Sequence, residues 1–555
     1  MQSLNSVAVQ GAAATAERPR VAGIATMPAD GRGVAGGVAK SAESAPARRM
    51  AAPPAPVTMQ ESVVSRPRGD AASREQYDRI EDNPFLGVRN NPLSTFSIDV
   101  DRASYGNMRR FITQGQRPPK DAVRIEELVN YFPYDLPAPE GNDPVRITTE
   151  TMQAPWQPRH RLVRIALQAQ RIDTRNLPPN NLVFLVDVSG SMMSPDKLPL
   201  VKQALRLLVN ELRPQDRVAL VTYAGNAGVV LPGTSGDEKV TINEAIDRLE
   251  AGGSTAGGAG LALAYDVARE AFRNGGNNRV ILATDGDFNV GVSSDAELER
   301  MIERRRNEGT YLTVLGFGTG NFQSAKMEKL AKVGNGNFAY IDRLDEARKT
   351  LVEELGATLR TVANDVKLQV EFNPSTVRAY RLIGYENRLL RNEDFADDTK
   401  DAGDIGAGHQ VTALYEIVPA GVTGTVPVRE VDSLRYSQVP PRDADDNTPR
   451  SAGSSELGFV RLRYKRPGES TSRLISAPVA ATARSNASTD FRFAASVASF
   501  GMLLRDSEYR GNSSAAQVLE MARAALGRDV GGYRAAFVEL VERWRSIGTT
   551  SDGRR

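Results

Sequence analysis

The sequence predicts an open α/β unit in the middle of the chain, set in a β-rich region and followed by helices. Three observations predict it. The runs "VFLV", "VALV" and "VIL" are apolar at successive positions, as strands covered by helices on both faces require. Between such runs lie segments of helical spacing, in which Leu198, Val201, Leu205, Leu208 and Leu212 recur at three and four to make one buried face. Outside residues 179–362 the alternation stops, and Val-, Ile- and Thr-rich stretches follow one another across loops.

Taken in order, residues 1–80 are rich in Ala, Gly, Pro, Ser and Arg, as in "GVAGGVAKSAESAPARRMAAPPAPV". They carry too little large apolar surface to offset the entropy of ordering and read as a tether, with "SVAVQG" and "RPRVAGIAT" as short strand-like runs. In a flank over 81–143, "STFSIDV" predicts a strand, "SYGNMRRFI" a helix turn and "DAVRIEELVNYFPYDLP" a helix stopped by Pro133. Over 144–178, "PVRITTETMQAPW" and "HRLVRIALQAQ" are strands of a β-rich domain. From 179 to 362 come "NLVFLVD", a helix over 197–212, "RVALVTYAG", "AGVVLPG", helices over 237–250 and 258–273, "RVILATDG", a helix over 294–308, "YLTVLGFG", a helix over 323–332, "GNFAYID" and a helix over 344–360. Over 363–480, "NDVKLQVEFNPSTVRAYRLIGYENRLL", "QVTALYEIVPA" and "LGFVRLRYKRP" are strands expected to pair with those of 144–170 across the inserted unit. Residues 481–555 are helical by spacing, and Phe491, Ala495, Ala498, Met502, Leu526, Phe537, Leu540 and Trp544 are assigned to helix packing.

Composition narrows the chemistry. With 555 residues, 40% of them hydrophobic, the chain is long enough for two to four domains. A formal charge of +2 gives no general electrostatic case for nucleic acid, so no nucleic-acid partner is expected. The absence of cysteine excludes disulfides and thiolate metal sites, and with His160 and His409 the only histidines a histidine-rich zinc centre is not expected. Oxygen is the metal chemistry that remains. No apolar run reaches the length needed to cross a bilayer, and "MQSLNSVAVQGAAATAERPR" lacks the basic head and apolar core of a signal peptide.

Three loops offer that oxygen chemistry at the carboxyl ends of strands, where an open α/β sheet binds its ligands. "DVSGS" presents Asp187, Ser189 and Ser191 around the permissive Gly190. "GGSTAGG" sets Thr255 before a helix, and "ILATDGD" sets Asp285 directly after a buried strand. Mg²⁺ takes six oxygens in near-ideal octahedral geometry and retains waters. Ser189, Ser191 and Thr255 can donate neutral hydroxyl oxygens, while Asp187 and Asp285 neutralise the ion and orient its waters or hydroxyls. The alternatives are that Ser191 or Ser194 caps the next helix, that Asp287 braces its loop, and that Lys197 and Lys202 are solvated helix residues. "GFGTG", residues 316–320, lacks the last glycine of a dinucleotide fingerprint and reads as a tight turn.

With "DVSGS", Thr255 in "GGST" and Asp285 in "TDGD", the sequence resembles the von Willebrand factor type A (VWA) family at its metal-ion-dependent adhesion site. The resemblance implies a Rossmann-like open, mostly parallel sheet in which Ser189, Ser191 and Thr255 ligate the ion and Asp187 and Asp285 act directly or through water. "NPLSTFSIDVDRASYGNMRRF", "RIEELVNYFPY", "KMEKLAKVGNGNFAYID" and the carboxyl-terminal helices resemble a bacterial, envelope-associated or lipoprotein-like group of that family over residues 80–550. The chain departs from the lipoprotein pattern because it has no lipobox cysteine.

The function expected is a divalent-metal-dependent protein-binding module, for adhesion or assembly in the bacterial envelope or periplasm, that captures an Asp or Glu of an unidentified protein partner. Mg²⁺ is the expected ion, with Mn²⁺ and Ca²⁺ accepting the same donors. The alternatives are a metal-dependent hydrolase and a structural envelope scaffold with an inactive site. No separate nucleophile or general base accompanies the loops, so a non-enzyme is expected.

Overall fold

The computed structural model describes residues 77–172, 177–254, 257–286, 294–319, 324–354, 360–400, 402–427, 455–481 and 487–551. The tether expected over 1–80, with both its strand-like runs, lies outside these up to residue 76. Strands β1 (Leu86–Gly87) and β2 (Leu93–Ser97) precede helices α1 (Ala103–Thr113) and α2 (Ile125–Asn130). Strands β3 (Val145–Ala154) and β4 (Gln157–Ala169) form an antiparallel hairpin.

The α/β unit then runs β5 (Asn180–Asp187), α3 (Leu198–Glu211), β6 (Arg217–Tyr223), β7 (Ala227–Ser235), α4 (Lys239–Asp247), α5 (Gly257–Glu270), β8 (Asn277–Thr284), α6 (Asp295–Asn307), β9 (Thr310–Phe317), α7 (Ser324–Val333), β10 (Phe338–Ile341) and α8 (Leu344–Arg348). Its sheet has the order β10-β9-β8-β5-β6-β7, parallel except for the antiparallel edge pair β6–β7. Both faces are dry because alternate residues of each strand enter opposite cores. Leu182, Phe184 and Val186 meet α3 and α4, whereas Val183 and Leu185 meet α5, α6 and α7. The helix expected over 344–360 is shorter: α8 gives way to one π-helical turn, Lys349–Glu353, in which Lys349 Nζ donates to the Tyr131 carbonyl at 2.6 Å.

After the unit come β11 (Thr361–Phe372), β12 (Val377–Ile383), β13 (Gly403–Gly406), β14 (Gln410–Pro419), β15 (Glu456–Lys465) and β16 (Arg473–Ala480), then α9 (Thr489–Arg505), α10 (Ala515–Ala524) and α11 (Tyr533–Ser551). The expected pairing across the insertion is present, since β14 lies antiparallel to β4 from Gln410↔Gln168 to Ile417↔Arg161. One sheet is β1-β12-β14-β4-β3; the other is β13-β11-β15-β16, with β2 also paired to β11. Alternation along β4 builds the layers: Val163, Ile165 and Leu167 face the second sheet, while Leu162 and Ala166 face α2, α9, α10 and α11.

Three strands escape the sequence pattern, the first of them the two-residue β1. β13 reads "GDIG", loop-like until it pairs with β11, and β16 carries Pro478, which a sheet tolerates at its edge. The insertion leaves and re-enters at one place, because the Gln170 and Arg360 carbonyls accept from the backbone amides of Gly408 and Ala407, each at 2.8 Å. Helix α1 then lies on β10, where a Cβ on Gly106 would come within 2.9 Å of the Tyr340 carbonyl.

Candidate functional site

The strand order brings two of the three predicted loops to one edge. In the parallel register Val186 lies beside Ala283 and Asp187 beside Tyr223, so Asp187 ends β5 between the ends of β6 and β8. Its carboxylate is wholly buried. Oδ2 accepts from the hydroxyls of Tyr223 at 3.0 Å and Thr284 at 3.2 Å, and Oδ1 accepts from the Ser189 amide at 2.9 Å. Burial pushes this carboxyl above its ordinary range and the Asp285 carboxylate adds to the rise, while the hydrogen bonds from Ser189 and Tyr223 oppose it.

The Ser189 and Ser191 hydroxyls approach each other at 3.1 Å across a 3₁₀ turn, Gly190–Met193. Neither Ser191 nor Ser194 caps α3. The Ncap position is Lys197, which makes no side-chain capping bond, and Ser194 donates to Asp196 at 2.5 Å instead. The second loop docks on the first through its backbone: the Gly190 amide donates to the Gly253 carbonyl at 3.1 Å and the Gly252 amide to Val188 at 2.7 Å. Thr255 itself, like Asp287, lies outside the described residues.

Asp285, 1% exposed, follows β8 directly. Its Oδ2 accepts from Lys197 Nζ at 2.8 Å. Lys197 is therefore not the solvated helix residue expected from the sequence: it is 7% exposed and closes a buried ion pair. Its stem passes Gly318 of the "GFGTG" turn, where φ is +72° and a Cβ would collide with Cγ, Cδ and Cε of the lysine. Lys202 is the ordinary one of the pair, donating to the Asp247 carbonyl at 3.0 Å at the surface.

The donors present fit a hard dication. In an octahedron with metal–oxygen distances near 2.1 Å, neighbouring oxygens are about 3 Å apart, and the two serine hydroxyls already hold that spacing. Among the described residues no three carboxylate or imidazole groups converge as a ligand set, and the oxygens these loops bring together are the Ser189 and Ser191 hydroxyls and the buried Asp187 and Asp285 carboxylates. Sequence reasoning missed Tyr223 and Thr284, which fix Asp187. Each ends a strand adjacent to β5, a signal that appears only once the strand order is known.

Family descriptions match the chain in succession: "von Willebrand factor" over residues 71–164, "von Willebrand factor type A domain" over 181–354 and "Uncharacterized protein YfbK, C-terminal" over 357–547. The Escherichia coli (strain K12) protein YfbK is 46% identical over 475 residues, which is 84% of this chain and 80% of that one. Protein sll0103 of Synechocystis sp. is 31% identical over 195 residues, 34% of this chain and 44% of its own length. Among solved structures, a von Willebrand factor type A protein from Catenulispora acidiphila covers 82% of this chain and 90% of its own at 16% identity and a TM-score of 0.36, too loose a superposition to carry an argument.

Proposed function

The chain belongs to the YfbK family of bacterial proteins with a von Willebrand factor type A domain, and from that premise we propose that it is a divalent-cation-dependent protein-binding module. In this reading Ser189, Ser191 and Thr255 hold Mg²⁺ through hydroxyl oxygens, while Asp187 and Asp285 neutralise it directly or through water. Three small hydroxyl donors suit the compact octahedron of Mg²⁺ better than the larger shell of Ca²⁺. The observation that carries the reading is the 3.1 Å approach of the Ser189 and Ser191 hydroxyls beside a wholly buried Asp187.

When bound, the ion supplies a Lewis-acid position for one Asp or Glu carboxylate of the partner. The protein's own part is preorganisation. Tyr223 and Thr284 lock Asp187, Asp187 locks the Ser189 amide, and the Gly252 and Gly253 backbone holds the second loop against the first. Met193, 65% exposed on the same turn, offers an apolar contact to residues flanking the partner's acid.

The module is read as a binder and not as a hydrolase. Both histidines belong to the flanking regions: His160 lies in β4, bonded to Glu416 and Thr425, and His409 just before β14, so neither stands beside Ser189 as a general base. Association with the bacterial envelope is part of the same proposal; among the described residues no helix is long and apolar enough to cross a membrane. Crosslinking in an envelope fraction, with Mg²⁺ or with EDTA, tests ion, partner and location together. A partner recovered with Mg²⁺ and lost with EDTA or with S189A supports the proposal, and equal recovery by the folded metal-free protein overturns it.

A further inference from the structure

Lys197 occupies a position that neither helix formation nor solvation explains. It stands at the Ncap of α3, where the partial positive charge of the helix N-terminus disfavours a cation, and it makes no capping bond. It is also buried, a second cost for an ammonium, and its stem runs through space that exists only because residue 318 has no side chain. All three features converge on one contact, the 2.8 Å bond from Nζ to Asp285 Oδ2. Asp285 is one of the two carboxylates proposed to neutralise the metal.

We propose that Lys197 is an internal counter-ion of the metal loops, an ammonium that holds Asp285 when no dication is bound and yields it when one binds. The inference rests on the metal-binding reading above and concerns how that site is regulated. Two effects act in the same direction. The ammonium repels a dication held beside Asp285, and it stabilises the metal-free state by pairing a buried carboxylate that the Asp187 carboxylate repels. The site is thereby set to an affinity low enough for exchange, so that capture of a partner carboxylate and capture of the ion reinforce each other. The ion pair also ties the end of β9 to the loops, because Gly318, against which the lysine packs, accepts from the Tyr340 hydroxyl at 2.6 Å.

The test uses the full chain stripped with EDTA and titrated with Mn²⁺. Free Mn²⁺ is read by electron paramagnetic resonance, and thermal unfolding is followed with and without the ion. Lys197→Met keeps the apolar stem and removes the charge; it is expected to bind Mn²⁺ about tenfold more tightly than wild type. The same variant is expected to have a lower Tm without metal and a larger Tm rise with it. Lys197→Gln is expected to shift both quantities the same way, and it carries the test if the methionine variant does not fold. Lys202→Met, on the exposed side of α3, is expected to match wild type. Unchanged or weaker Mn²⁺ binding in both Lys197 variants, with wild type binding normally, overturns this inference alone. Failure of wild type and all variants to bind Mn²⁺ overturns the metal-binding reading and this inference with it.

Discussion

Two groups of charge, buried to different degrees, lie along the α/β unit. In the seam against the flank, Arg109 donates to Asp342 at 2.9 Å, to Glu346 at 2.8 Å and to the Tyr131 hydroxyl at 3.0 Å. Lys349 and Arg102 both reach Glu354. Three cations, Arg109, Lys349 and Arg102, thus stand against three carboxylates, Asp342, Glu346 and Glu354. In the loops two buried carboxylates, Asp187 and Asp285, stand with one described ammonium, Lys197, and with hydroxyl groups. The seam is balanced, a lock between parts of one chain, and it borders a cavity of about 740 Å³ lined in part by Arg102, Tyr131, Glu346, Lys349, Glu354 and His409. Among the described residues the loops set two carboxylates against one ammonium and keep two hydroxyls turned to each other, the oxygens that the proposed cation would use.

The largest expected effect lies in the seam. Arg109→Met leaves the buried Glu346 and half-buried Asp342 carboxylates without their main cation and is expected to cost about 3–5 kcal/mol in urea unfolding, with Mn²⁺ affinity unchanged. A cost below about 1 kcal/mol would place the seam among ordinary surface ion pairs and break the contrast. In the loops the proportions reverse. Ser189→Ala is expected to weaken Mn²⁺ binding by about 10–100-fold, or roughly 1.4–2.7 kcal/mol, while changing metal-free stability by less than about 1 kcal/mol. Unaltered Mn²⁺ affinity in that variant would remove Ser189 from the ligand set.

The smallest effect concerns pH. Burial, aided by the nearby Arg102 guanidinium, pushes the His409 imidazole down from its ordinary 6.5 to about 4. The unfolded chain therefore binds a proton near pH 6.5 that the folded chain refuses until about pH 4, so this group's contribution to stability is complete above pH 6.5 and is lost as pH falls through that window. With only two histidines in the chain, NMR can follow the ring protons of His409 directly. A midpoint near 4 supports an imidazole screened from water beside Arg102, and a midpoint near 6.5 shows water reaching it.

Much of this was legible in the sequence, for identifiable reasons. Strands buried on both faces and helices of regular spacing leave strong periodic traces, so the order of elements from Asn180 to Ile341 could be read with boundaries close to those observed. The pairing of β14 with β4 was readable because two Val-, Ile- and Leu-rich stretches flank the insertion. Asp187, Ser189 and Ser191 announced themselves as a short cluster of oxygen donors. Lys197 did not, because a lysine before a helix looks solvated until Gly318, distant in sequence, is seen to open a path for it. The seam was invisible for the same reason: Arg109 and Glu346 carry no local pattern and meet only when α1 crosses β10.

The break in the flank at Gln170 and Arg360 has a consequence for synthesis on the ribosome. The β3–β4 hairpin emerges long before β14, its hydrogen-bonded neighbour, and during that interval one of its edges has nothing to pair with. The intervening unit is built from segments that adjoin in sequence, and as it forms it draws the two severed ends together, shortening the loop that β14 must close. The inserted unit thus acts as a staple for the sandwich around it, whose β4–β14 pairing must wait until the unit between them has been made.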